Sequence, residues 1–497
     1  MMKLISTYVC LPLCLPLLAA ATLLSGCAVG PDFVRPVAPV VSSYTSEPLV
    51  KQTVSTTVAA GAAQTFVDDE KIPHQWWTLF QSAALNKLIE QAIKNNPSLQ
   101  QAEAALKVAQ ESVYAQQGAY YPTISANYSA SRQKEALGTV SSAAASGASL
   151  FNFHTAQLNV AYSADVFGGN RRAVESLQAQ ADYQRFQREA VYLTLISNVV
   201  NTAIQEASLR AQIKATLAIV MIEKNQLDLF QRQLLLGAIP EANLVAQIAQ
   251  LAQTEALLPP LRKQLAVQRD LLSALVGQLP SEALPEVFEF SMLQLPQTIP
   301  LSLPSQLVEQ RPDVRAAEEQ LHAASAEVGV AKANMLPQFT LSANGGSVAT
   351  QFSQLFKSGT GFWSLVGGIT QPIFDGGTLL HKKRAAEAAY EQAAAQYRST
   401  VIGAFQNVAD TLQALQFDAD SVQTAAIAER AANDSLTIAR RQVELGDIAY
   451  VTVLSAEQNY QQSLIGLVQA QTNRYADTAA LLQALGGGWW NQQASQQ

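Results

Sequence analysis

From Pro122 to Ala130 the chain alternates without a slip: Ile124, Ala126, Tyr128 and Ala130 on one parity, Thr123, Ser125, Asn127 and Ser129 on the other. A period of two sorts the two classes onto opposite faces of a strand. The pattern returns where Leu158, Val160, Tyr162, Ala164 and Val166 alternate with Gln157, Asn159, Ser163 and Asp165. It returns again in Phe339, Leu341 and Ala343 against Gln338, Thr340, Ser342 and Asn344, and in Trp363, Leu365 and Ile369 against Ser364 and Thr370. These runs predict strands over about 122–132, 156–167, 337–347 and 362–374, with Ser/Ala/Gly-rich loops at 132–155 and 346–361. A strand with one apolar and one wettable face suits either a membrane barrel or a soluble sandwich. The sandwich is disfavoured, because each half of the chain holds only two such strands and nothing nearby supplies an opposing sheet. Four strands cannot close a barrel, and lipid does not tolerate open edges. Several chains must therefore share one barrel.

Elsewhere the period is helical. Leu88, Ile89, Ala92 and Ile93 mark a helix within 85–119, with Pro97 a break or restart. After each second strand a glycine pair, Gly168-Gly169 or Gly376-Gly377, opens an unbroken run, 171–236 and 378–445. Each is on the order of 100 Å long at 1.5 Å per residue. Their most apolar stretch, 190–204, holds Ser197, Asn198 and Asn201 between charged flanks, short of the roughly 20 apolar residues a membrane span needs. Such helices reach across an aqueous space. Each reverses at a glycine suited to a helix C-cap, Gly237 or Gly446. Shorter helices return over 241–276 and 451–485, giving antiparallel hairpins with coiled-coil-like seams.

The two halves echo each other. Gly237 in RQLLLGAIP recurs as Gly446 in RQVELGDIA, and Gly277 as Gly486, each 209 residues on (446 − 237). Phe167 answers Phe374 and Pro122 answers Pro337 at nearly the same distance. The period is too long for a solenoid, so the chain reads as a duplicated half-molecule, a set of staves for a tube.

The ends and the composition narrow the class. Lys3 and the apolar run 4–24 form a targeting segment. It ends in Leu24-Ser25-Gly26-Cys27, which resembles the lipobox of bacterial lipoprotein signal peptides. That resemblance implies cleavage before Cys27 and acylation of its thiol, with about 0.8 kcal/mol of membrane affinity per buried methylene. The alternatives are an ordinary signal peptide or an uncleaved anchor. Ala28, where aspartate often marks inner-membrane retention, favours the outer membrane. Cys10 and Cys14 lie in the discarded segment, so no thiol remains for a disulfide, a metal or a nucleophile. A net charge of −7 argues against a nucleic-acid partner. His74, His154, His322 and His381 are scattered, and no phosphate-binding, hydrolase or zinc motif occurs. Neither an enzyme nor a cofactor-binding protein is expected. Arg171-Arg172 and Lys382-Lys383-Arg384, at helix starts where the dipole disfavours cations, are either a solvated cluster or contacts to lipid phosphates.

Short motifs then fall in a telling order: Cys27-Ala28-Val29-Gly30-Pro31-Asp32-Phe33 with Arg35-Pro36, Trp76-Trp77-Thr78-Leu79-Phe80, Asn96-Pro97-Ser98-Leu99, Arg311-Pro312-Asp313-Val314, Pro372-Ile373-Phe374-Asp375-Gly376-Gly377, and Ala484-Leu485-Gly486-Gly487-Gly488-Trp489. In this order the chain resembles the outer-membrane factors, TolC-like ducts, and among them the NodT-type lipoproteins of resistance–nodulation–division efflux pumps. The resemblance implies a mixed α+β membrane protein: a homotrimer whose four strands per chain form one 12-stranded barrel in outer-membrane lipid, continued by a periplasmic α-helical barrel. It implies a periplasmic adaptor (membrane fusion) protein meeting the hairpin tips, here Gly237, Ala238, Gly446 and Asp447, and an inner-membrane pump that supplies the energy. The inner helices of the second hairpin would constrict the tunnel end. Counted from Gly446, Val451 falls at an apolar gate ring, while Thr452 and Ser455 stand where relatives often carry aspartates. The gate is thus expected to be less cation-selective, unless Ser455 merely packs inside the hairpin.

The expected organisation is a signal peptide (1–26), an acylated tether (27–80, extended and Pro/Thr/Val-rich over 28–75), a first repeat (81–279, hairpin 171–276), a Pro-rich linker around the helical body (280–304), a second repeat (305–488, hairpin 378–485) and a tail (489–497). The expected function is a passive exit duct for small molecules. A duct for type I protein secretion, or a periplasmic spacer without a pore, are the alternatives.

Overall fold

A computed structural model describes residues 28–134, 150–282 and 284–491. The predicted signal segment, Cys27 and the end of the tail lie outside the described residues. In chain order the strands are β1 (Thr65–Asp68), β2 (Thr123–Lys134), β3 (Leu150–Ala164), β4 (Thr298–Leu301), β5 (Gln338–Ala349) and β6 (Gly361–Thr370). The α-helices are α1 (Ala83–Asn95), α2 (Pro97–Gln117), α3 (Gly169–Leu235), α4 (Glu241–Glu255), α5 (Leu258–Leu275), α6 (Pro304–Gln310), α7 (Pro312–Ala333), α8 (Thr378–Glu444) and α9 (Tyr450–Ala484). Two compact units emerge. Among the described residues, one comprises 28–35, 107–134, 150–183 and 318–396; the other comprises 36–106, 184–282, 284–317 and 397–491.

The first unit carries a four-stranded antiparallel sheet in the order β2-β3-β5-β6. Its register keeps the parity of the alternation across all four strands. Ile124, Val160, Ala343 and Leu365 form one crosswise row, and the next row is Ser125, Asn159, Asn344 and Ser364. A slip of one residue in any strand would exchange the faces. Val366 and Phe362 break the rule, falling in rows with Ser342 and Gly346. Strand limits differ from expectation. β3 starts six residues before 156, because the ladder runs on through Phe151 and Phe153 opposite Gln133 and Ser131. It also stops short of Val166, whose N–H turns back to the Ala164 carbonyl. β6 ends at Thr370, ahead of Pro372, which has no N–H to donate.

Helices α3 and α8 are each 67 residues long, and both their first and last residues stand 209 apart. Each start is capped by a carboxylate. Asp165 accepts from the N–H groups of Asn170 (2.9 Å) and Arg171 (2.8 Å), and Asp375 from those of Gly377 (2.9 Å) and Leu379 (2.8 Å). These anions offset the unfavourable siting of the basic residues beside them. In the second unit the buried face of α8 runs Tyr397, Val401, Ala404, Val408, Leu412, Leu415, Ala419, Val422, Ala426. Spacing of three and four is the seam of an antiparallel hairpin. No described helix is long and apolar enough to cross a membrane.

Three expectations need correction. The helix expected over 241–276 is two helices, α4 and α5, because Pro259 and Pro260 cannot donate to the preceding turn and so start a new helix. Its counterpart α9 has no proline and is continuous. The tether is not a free strand, since β1 pairs in parallel with β4 from the Pro-rich linker. Arg474, wholly buried, donates to the carbonyls of Ala60 and Ala62 (2.8 Å each) and to the Thr53 hydroxyl (2.9 Å), so residues 53–64 wrap the helical body. Finally, Arg172 is buried against protein groups and is no contact for lipid phosphate.

Candidate functional site

The apolar face of the sheet stands open at Ile124, Leu158 and Trp363. Ile124 (71 % exposed), Leu158 (56 %) and Trp363 (81 %) lie on the apolar face with nothing over them among the described residues. Leaving such side chains in water forfeits roughly 1.5–3 kcal/mol each. The opposite face presents Ser125, Asn127, Asn159 and Asn344. The outer edges of β2 and β6 have no strand beside them among the described residues. An apolar face, a polar face and two unpaired edges are what a set of strands awaiting others in lipid would present.

The residues following Cys27 are clasped within the same unit. Val29 N–H donates to the Phe167 carbonyl at 3.0 Å. Arg172 pairs with Asp32 at 2.5 Å and with Glu175 at 2.7 Å. Arg35 reaches the buried Glu318 at 2.5 Å, and Phe33 stacks on the His322 ring at 4.3 Å. A methyl on Gly30, at φ +108°, would fall 2.5 Å from the Gly329 Cα, so the two backbones touch only because both residues are glycine. His322 bridges Glu175 (3.1 Å) and Glu319 (3.4 Å), and the hydrogen bond to Glu319 leads in raising its pKa above the usual imidazole value. No residue pattern pointed to this clasp. The signal was present only as the Gly-Pro-Asp-Phe motif and an unexplained pair of arginines.

At the hairpin tips, Gly237 and Gly446 have φ of +68° and +81° and close matching C-caps. Ala238 N–H donates to the Gln233 carbonyl (2.8 Å), and Asp447 N–H to that of Gln442 (2.9 Å). All four tip residues are exposed, and Leu235 and Leu236 beside them are 88 % and 83 % exposed. Beneath the tips, Phe230, Leu436, Tyr450 and Val453 form an apolar cluster joined by Ile239, Leu244 and Ile448. Val451, Thr452 and Ser455 form an exposed stripe on the first turns of α9. The Ser455 hydroxyl donates to the Val451 carbonyl of its own helix (3.1 Å) and is not packed into the hairpin.

The sequence profile of the outer membrane efflux protein family matches residues 88–278 and 303–487. The chain is 31 % identical over 424 residues to the pyoverdine export outer membrane protein OpmQ of Pseudomonas putida, covering 84 % of this chain and 89 % of that one. It is 30 % identical over 490 residues to the probable efflux pump outer membrane protein TtgC of Pseudomonas putida, 97 % of each chain. The solved outer-membrane channel OprN superposes with a TM-score of 0.82 at 25 % identity, over 93 % of this chain and all of the other.

Proposed function

The chain belongs to the outer membrane efflux protein family, and on that premise we propose that it is the outer-membrane exit duct of a tripartite efflux pump. It is no enzyme; its work is passage. The observation that carries this reading is the four-stranded sheet with an apolar face, a polar face and two open edges. Three copies supply twelve strands, a number that closes a barrel with a wettable lumen. The 209-residue correspondence of α3 with α8 supports a duplicated subunit, so that three chains present six similar hairpins. Acyl chains on Cys27 fix the subunit to the inner leaflet of the outer membrane.

The exposed tips at Gly237, Ala238, Gly446 and Asp447 receive the periplasmic adaptor, which links the duct to an inner-membrane pump. Val451, Thr452 and Ser455 ring the periplasmic opening, and without aspartates there the gate selects cations weakly. The cargo is small molecules chosen by the pump. A chain that matches an efflux-pump component along 97 % of both lengths favours efflux over protein secretion. Deletion should raise cellular accumulation of a panel of toxic small molecules, and the purified protein should conduct in planar bilayers. Ser455→Asp should then raise cation selectivity severalfold. A protein that inserts but never conducts would remove the duct reading.

A further inference from the structure

Below the tips the two hairpins are joined by the apolar cluster around Phe230 and Tyr450 and, beside it, by a set of buried polar groups. Glu223 of α3 is wholly buried. Its Oε1 accepts from the Thr254 hydroxyl (2.9 Å) and the Gln250 amide (3.2 Å) of α4, while its Oε2 is buried with no partner. The Gln247 amide donates to the Glu223 main-chain carbonyl at 3.0 Å. These glutamines also reach the second hairpin: Tyr450 of α9 donates its hydroxyl to Gln247 Oε1, and the Gln458 amide donates to Gln250 Oε1 at 3.2 Å. Charged neighbours are few. Glu457 of α9 is buried, pairs with Arg440 of α8 at 2.8 Å, and also has an unpartnered Oε2. Two buried carboxyls thus share one arginine, which lies with Glu457.

We propose that this network is a proton-operated latch: with a proton on Glu223 the two hairpins stay joined near their tips, and loss of that proton releases them. An ionised Glu223 would leave an uncompensated charge at Oε2 and face the Glu457 carboxylate, a costly arrangement in a dry seam. The neutral acid carries only a hydroxyl there. Burial, opposed by the bonds from Thr254 and Gln250 and aided by Glu457, pushes the Glu223 pKa up to about 7. The sign follows. For an acid raised above its ordinary value, the joined arrangement is favoured at low pH and weakens as pH rises towards 7, with the penalty complete above it. In the duct reading, on which this role rests, the tip end opens more readily on the alkaline side.

The test uses the full-length protein in detergent and in bilayers. Amide exchange of Glu241–Glu255, corrected for intrinsic rate and referenced to Ala83–Asn95, should lose protection about tenfold between pH 6 and pH 8.5. Glu223→Gln should keep protection high and flat. Glu457→Gln, which removes the repelling carboxylate and frees Arg440, should move the midpoint to lower pH; it serves also if the first variant folds poorly. Wild-type protection that is flat with pH, or a Glu223→Gln profile that still falls, overturns the latch. Bilayer conductance separates the two ideas: a titrating α4 in a protein that never conducts keeps the latch and removes the duct, and a conducting protein with flat exchange does the reverse.

Discussion

At the scale of single residues, the least legible features of this molecule are polar side chains in dry places. Arg172, Arg474 and Glu223 stand in stretches that read as Ala- and Gln-rich helix, and nothing in their local pattern separates them from solvated charges. Their partners lie far away in sequence: Arg172 meets Asp32, and Arg474 meets Ala60 and Ala62. The clasp on residues 28–35 carries a testable pH dependence. Because its carboxylate partners raise the His322 pKa, the contribution of the imidazolium is whole below the ordinary histidine value and fades as pH rises through the folded one. Protease cleavage around Asp32–Pro36 should be several times faster at pH 8.5 than at pH 6. His322→Phe should keep the stack on Phe33 and lose the pH dependence. Equal cleavage rates at both pH values in the wild type would dismiss the clasp as a titrating element.

At the scale of elements, legibility depended on how local the cause was. The alternation in β2, β3, β5 and β6 is a property of neighbouring residues, so the strands could be read directly, apart from their ends. Those ends were set by pairing: Leu150 joins β3 because Lys134 lies opposite, a fact no window around Leu150 contains. The broken return of the first hairpin is printed in the chain as Pro259-Pro260, where its counterpart in the second half has no proline. β1 and β4 escaped notice because four-residue strands in Pro-rich segments carry no period. The tip glycines were legible, since a long helix that reverses needs a left-handed residue. Nothing lies within 4 Å of a Cβ built on Gly237 or Gly446, so backbone conformation alone decides what these sites tolerate. Gly446→Val should destabilise the hairpin by about 1–2 kcal/mol, and Gly446→Asn by less, because asparagine accepts the left-handed region. Local amide exchange on both sides of the tip measures the difference; equal effects would show that the cap does not depend on that conformation.

At the scale of the whole molecule, two adjacent residues of β3 distinguish a membrane wall from any other use of the sheet. Leu158 and Asn159 differ by one position and therefore by face. Leu158→Arg should cost about 2–4 kcal/mol at the middle of a lipid face, whereas Asn159→Arg should be tolerated on a wet one. Membrane-fraction yield and the oligomeric state after detergent extraction report the outcome. Two variants that insert alike would remove the sheet from the membrane. What was legible at this scale is that the sheet is an unfinished object, and that much follows from counting its four strands. The partners that complete it left no local trace, since each of them is a surface matched to some other surface.

The bare flanks of β2 and β6 have a genetic consequence. A subunit whose flank can be gripped but cannot grip in return would be accepted by healthy siblings and then spoil the ring. In the proposed ring of three, with both alleles expressed equally, only about one assembly in eight would be free of the faulty member. An injury to a single strand margin should therefore behave as a dominant trait, whereas loss of the gene would be recessive.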